Sequence, residues 1–164
     1  MNVAVKPLVS ASSAILRQQA EDVKTFDSQL KQLLLDIEDT LYETEASALC
    51  APQIGVSQQA AIIDMEADGL LQLINPSIVS ESETKVTELE GDVSFPDIFG
   101  TVTRSQMIVV QSNDVEGNTV ELTAYDDIAR MILHIIDQLN GVPFTDKMEK
   151  QLTEEELEAY LEDE

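Results

Sequence analysis

Tryptophan is missing from this 164-residue chain, and four phenylalanines and three tyrosines are its only aromatics. The hydrophobic share of 43% is therefore carried by aliphatic side chains and methionine. That is enough for a single globular domain, taken as 1–164, whose core needs no covalent staples. Cysteine is down to one residue, Cys50, so an intramolecular disulfide is impossible and a secreted, disulfide-framed fold is not indicated. Long apolar runs are absent too: nothing approaches the roughly 18 residues that a membrane span needs. The opening MNVAVKPLVSASS has no charged stretch followed by a long apolar one, so no secretory leader is expected. Basic residues are scarce as well, with nine Lys and Arg against 32 Asp and Glu, a net charge of −23. Scattered from Lys6 to Lys150, they form no patch for nucleic acid or an anionic membrane, both of which such a chain should repel. The expectation is a cytoplasmic protein with no nucleic-acid or membrane partner, whose acidity serves solubility.

What the chain does hold is a set of separable elements. Residues 27–46 carry Leu30, Leu33, Leu34, Ile37 and Leu41 on one helix face, with Asp27 or Thr25 as the cap. SALCAPQIGVSQQ (47–59) is expected to be an irregular loop because of Pro52 and Gly55. Strands are expected at 60–64, at 70–74 closed by Asn75-Pro76, and at 78–82. Two more, at 107–112 and 118–125, are joined through NDVEG as a hairpin. Residues 84–100, with Gly91, Pro96 and Gly100, show no clear period. The strongest helix signal runs from 126 to 140, with Asp126 as N-cap, Gly141 at C′ and Pro143 beyond. Near the end, Thr153 with Glu156 makes a capping box and Leu152 with Leu157 a hydrophobic staple, which starts a short helix. Strands outnumber helices without regular alternation, which points to an α+β fold.

The 126–140 helix is apolar nearly all round. Its exceptions, Asp127, Arg130, His134, Asp137 and Gln138, form one stripe. A buried polar group left unpaired costs about 1–3 kcal/mol, so the stripe must face a cleft or find internal partners. A lone histidine is more often a hydrogen-bonded core residue than a ligand. His134 is nevertheless the chain's only histidine, and so its only imidazole base or ligand. A Cys50–His134 nucleophilic pair is the lesser alternative, a small buried cysteine being the better reading of Cys50.

Three segments, taken together, resemble the signatures of peptide deformylases. L-H-I-I-D-Q-L-N-G (133–141) is similar to Q-H-E-x-D-H-L-x-G, E-G-D-V-S (90–94) to E-G-C-L-S, and A-S-A-L-C-A-P-Q (46–53) to G-x-G-x-A-A-P-Q. They occur in the family's order, and I-N-P (74–76) and G-x-V-x-R (100–104) match in the flanks, so the likeness covers roughly residues 5 to 146. It implies small antiparallel sheets around a central helix, about 126–140, followed by a short C-terminal helix. It also implies an activity, removal of the formyl group from N-formylmethionine on new bacterial polypeptides. In the family, two histidines and a cysteine hold a divalent metal, Fe or Zn, whose water attacks the formyl carbon. A glutamate moves the proton, and a glutamine and a backbone N–H stabilise the oxyanion.

Carried over position by position, the ligand set becomes Asp92, His134 and Gln138, and the general base becomes Ile135. The oxyanion donors would be Gln53 and the N–H of Val93, and both glycines of the first segment are alanines, Ala46 and Ala48. A catalytic metal needs three good protein ligands and an open position. Gln is a weak neutral donor, and loss of thiolate and imidazole weakens Zn²⁺ or Fe²⁺ binding. Isoleucine cannot accept a proton, and a base supplies typically about 10²–10⁴-fold.

Three functions stay open. The favoured one is a catalytically inactive deformylase-like protein, with no cofactor expected, that keeps a cleft for N-formyl-Met or Met peptide termini. The second is an active metal-dependent deformylase or related amide hydrolase with an altered Asp92/His134/Gln138 site and an Fe or Zn ion, where Asp137 is the tempting base. The third is an interaction module that does not bind peptide termini, using the acidic C-terminal helix on an unknown protein partner.

Overall fold

In the computed structural model, which describes residues 5–162, the chain order is α1 (Ser28–Thr44), β1 (Ala48–Cys50), β2 (Ala60–Asp64), β3 (Leu70–Glu81), β4 (Lys85–Asp92), β5 (Phe95–Ser105), β6 (Met107–Asn113), β7 (Thr119–Tyr125), α2 (Asp126–Leu139), β8 (Lys150–Gln151) and α3 (Glu154–Glu162). The strands form two antiparallel sheets, one ordered β1-β2-β3-β6-β7 and one ordered β4-β5-β8. The fold is α+β, with α2 at the centre. Among the described residues, no helix is long and apolar enough to cross a membrane.

The run Ala60-Ala61-Ile62-Ile63 shows why the five-stranded sheet is covered on both faces. Side chains alternate along a strand, and Ala60 and Ile62 join the cluster built around Leu34, Ile37 and Leu41 of α1. Ala61 and Ile63 join Ile132, Ile135 and Leu139 of α2 on the other face. A strand buried on both sides loses the apolar–polar alternation and reads as continuous apolar sequence. Helix α1 starts where expected, with the Asp27 side chain accepting from the N–H groups of Gln29 and Leu30 at 3.1 Å each. The hairpin also forms, β6 and β7 being joined through a turn where Gly117 has φ 89°.

Four local expectations differ from what forms. Strand β3 does not stop at Asn75-Pro76 but runs on to Glu81. Asn75 takes up the irregularity with φ 50°, and its side chain exchanges hydrogen bonds with the N–H and carbonyl of Val23. Residues 84–100 are not irregular: they build most of β4 and β5, the glycines and Pro96 having hidden the period. The 47–59 segment contains β1 and a short 3₁₀ turn over Ala51–Ile54 as well as loop. Asp126 is not the cap. It opens α2 with φ 52°, and its carboxylate accepts from the Gln106 side chain.

The other end of α2 follows the sequence. Gly141 has φ 82°, and a Cβ there would meet the Arg17 carbonyl group at 2.8 Å, so the position needs glycine for both conformation and space. The N-terminal segment crosses there and is tied down by Ala20 N–H donating to Leu139 O at 2.8 Å. At the C-terminus, Thr153 and Glu156 exchange capping-box bonds, and the Tyr160 hydroxyl donates to Glu88, docking α3 on β4.

Candidate functional site

Glu90 and Asp92 are two residues apart near the end of β4, so the pleat turns both carboxylates toward α2. Between them, Gly91 leaves room for the Phe99 ring, which a Cβ would approach to 2.7 Å. Helix α2 lays His134 across the pair. Its Nδ1 is 2.8 Å from Glu90 Oε1 and its Nε2 is 2.9 Å from Asp92 Oδ2. Phe144 stacks on the imidazole at a centroid distance of 5.5 Å and Phe95 meets Phe144 edge-on, so the ring is held from its face as well.

An ionised carboxylate offers only acceptors. A carboxyl group on each nitrogen favours a ring that carries both hydrogens, an imidazolium. Burial opposes that charge, but the hydrogen bonds and negative charges of Asp92 and Glu90 outweigh it and raise the His134 pKa to about 9. Glu90 is held low by the same contacts. Burial pushes its carboxyl up, and the bonds from His134 and Arg104 bring it down to about 2.

The network extends behind the ring. Arg104 makes a bidentate pair with Glu90 at 2.6 and 2.9 Å and a further bond to Asp137 at 2.8 Å. Arg130 reaches the same Glu90 at 2.6 Å and the carbonyls of Val102 and Val86. Four of the five stripe residues are thus accounted for: Arg130, His134 and Asp137 have charged partners within the protein, and Asp127 is exposed. Gln138 is the exception. It is 1% exposed, and neither side-chain atom has a hydrogen-bond partner among the described residues.

Gln53 is fully buried under the same site. Its amide nitrogen donates to Asp92 Oδ1 at 2.8 Å and Ser94 Oγ at 2.9 Å, so both hydrogens are spent, while its oxygen accepts from Cys50 N–H. In this arrangement Gln53 clamps Asp92 and has no hydrogen left for a ligand. Val93 lines an open cleft instead. Ile135 is fully buried and packs with the α2-side core. Cys50 is buried against Gln53, where burial pushes its thiol well above the usual range, as expected of an inert cysteine.

The cleft at the outer side of Asp92 and His134 has a volume of about 720 Å³, within the span common for small-ligand sites. Leu8, Val93, Pro96, Phe99 and Met131 give it an apolar lining, and Ala46 and Ala48 of the first segment form part of its wall. A groove of about 820 Å³ between residues 21–29 and the outer face of α1 holds none of the site residues.

A family model for polypeptide deformylase matches residues 5–154. The chain belongs to this family. A protein named peptide deformylase-like from Staphylococcus aureus (strain Mu50) is 61% identical over 159 residues, covering 97% of this chain and 98% of its own. A peptide deformylase from Caldicellulosiruptor bescii is 38% identical over 156 residues, covering 95% and 93%. The Met-Ala-Ser-bound crystal structure of a class I type b peptide deformylase from Acinetobacter baumannii superposes with a TM-score of 0.85 at 26% identity, covering 90% of this chain and all of the other.

Membership brings the family's Fe or Zn ion into question, and the donors at the three ligand positions do not fit it. Glu90 holds Nδ1 of His134, as an outer carboxylate commonly does for a ligating histidine, and Nε2 is engaged by Asp92 itself. Two atoms on one tetrahedral ion with bonds near 2.1 Å stand about 3.4 Å apart, whereas Nε2 and Asp92 Oδ2 are 2.9 Å apart. Gln138 adds only a neutral amide. Among the described residues, no group of three or more His, Cys, Asp and Glu side chains is arranged to hold a metal.

Glu90, Ser94 and Arg104 appear in the sequence only within the matching segments E-G-D-V-S and G-x-V-x-R, with no role at the site, and Phe144 carries no signal. A signal for Glu90 was present: a helix burying Arg130 and His134 together demands a carboxylate, and E-x-D on a strand supplies two on one face.

Proposed function

We propose that this chain is a deformylase-like protein that does not hydrolyse N-formylmethionyl peptides and instead uses its cleft to bind peptide N-termini. One observation carries the loss of activity: the imidazole at the family's ligand position is closed between Asp92 and Glu90. Ile135, fully buried in the core, stands where the base would be and can neither accept nor deliver a proton. The replacements support one another. A glutamate at 135 without a cation would bury an unpaired charge, whereas isoleucine adds apolar burial worth about 1.5–3 kcal/mol. Retained binding is supported by the apolar cleft beside Asp92 and by the peptide held in the A. baumannii relative's structure.

The test is one purified sample prepared and assayed without oxygen. Metal content is measured alongside formate release from a formyl-Met peptide, and peptide binding is followed by calorimetry. Formate release at the buffer rate with a saturable peptide isotherm is expected. Stoichiometric metal with turnover above buffer would overturn the inactivity, and absence of any isotherm would overturn the cleft reading.

A further inference from the structure

The charged groups lining the cleft are Glu45, Asp92 and His134. Asp92 and His134 neutralise each other at 2.9 Å, and behind them Arg104 and Arg130 are matched by Glu90 and Asp137. Glu45 differs. It follows α1 in the left-handed conformation, φ 56°, with its N–H tied to Leu41 and Tyr42 carbonyls, and its carboxylate has no cationic partner among the described residues. The cleft therefore combines an apolar lining with one uncompensated negative charge, on a chain whose net charge is −23.

We infer that the cleft selects peptide N-termini whose α-amino group is free and positively charged, with an apolar first side chain, over N-formylated ones. This preference rests on the cleft being a site for peptide N-termini. The ammonium complements Glu45, while the side chain fills the space among Val93, Pro96, Phe99 and Met131. A formamide is neutral and can offer the carboxylate one N–H hydrogen bond but no opposite charge. Of the two donors for its oxygen, the Gln53 amide has both hydrogens already spent inside the protein, which leaves only the Val93 N–H. Such a site reads whether a chain has already been deformylated rather than performing the deformylation.

The experiment is calorimetric titration with three peptides of one sequence, Met-Ala-Ser, formyl-Met-Ala-Ser and acetyl-Met-Ala-Ser, at low and at high salt. The free-amine peptide should bind about fivefold tighter than both capped ones at low salt, the ratio falling toward one as salt screens the pair that the exposed Glu45 makes. In Glu45→Gln the same ratio should fall toward one at low salt. Equal binding of all three, or tighter binding of the formylated peptide, would overturn the selection while leaving the cleft reading intact. Binding of none would overturn both. The salt series on the unaltered protein gives the answer even where the variant fails to fold.

Discussion

Asp92 Oδ2 and His134 Nε2 lie 2.9 Å apart, the spacing of a charge-assisted hydrogen bond and too close for two atoms bound to one tetrahedral ion. In this arrangement the partner of Asp92 is an imidazole supplied by the chain itself.

Stability should fall on the alkaline side. The His134 pKa is raised from 6.5 to about 9, so the ring's contribution is full below pH 6.5 and is lost as pH rises through 9. Glu90 runs the other way: lowered from 4.5 to about 2, it contributes above pH 4.5 and its share is lost as pH falls. Urea unfolding should show a maximum between roughly pH 4.5 and 6.5, with a decline between pH 6.5 and 9 on the order of 3 kcal/mol. A flat profile across that alkaline range would remove the imidazolium from the picture.

Glu90 should be the least replaceable member of the cluster. It accepts from His134, Arg104 and Arg130 with its side chain 4% exposed. Glu90→Gln leaves buried cations without their counter-charge, a change that costs about 3–5 kcal/mol. Asp137→Asn is the control, since that side chain is 22% exposed and its partner Arg104 keeps Glu90. Its expected cost is about 1 kcal/mol. Chemical unfolding of both variants gives the comparison, and equal losses would contradict it.

Gln138 should be replaceable at a gain. Its buried amide has no partner among the described residues, so Gln138→Leu removes an unmet desolvation cost of about 1–3 kcal/mol while filling nearly the same space. The midpoint of thermal unfolding should rise. A fall would mean that the amide has a partner, such as an ordered water.

How much of this could be read beforehand depends on which residues carried a signal. Helix α2 and its Gly141 stop were legible because the periodicity and the positive-φ glycine are local properties. The matching segments placed Asp92 beside His134, which spacing alone could not do across more than forty residues. Strands β4 and β5 were hidden because Gly91 and Gly100 serve close packing against Phe99 and Met148, a tertiary demand with no local periodicity. The closure of His134 between Glu90 and Asp92 was also out of reach, because it depends on which carboxylates a separate strand delivers to each ring nitrogen.

Restoring the family's groups should reopen the site. Asp92→Cys takes the carboxylate off Nε2, Gln138→His adds the missing imidazole and Ile135→Glu adds the base. The triple variant is expected to take up one equivalent of Zn²⁺ or Fe²⁺ and to release formate from a formyl-Met peptide, both read on one sample. A variant that folds but binds no metal would place part of the change in the cleft wall, at Ala46 and Ala48.

The most direct test uses the fact that His134 is the chain's only histidine. Imidazole ¹⁵N spectra of the labelled protein at pH 7, with and without added Zn²⁺, therefore need no assignment. Both ring nitrogens should appear protonated, and one equivalent of Zn²⁺ should leave them unmoved. A neutral ring with one unprotonated nitrogen that shifts on adding Zn²⁺ would contradict the closed site and return the metal to the protein.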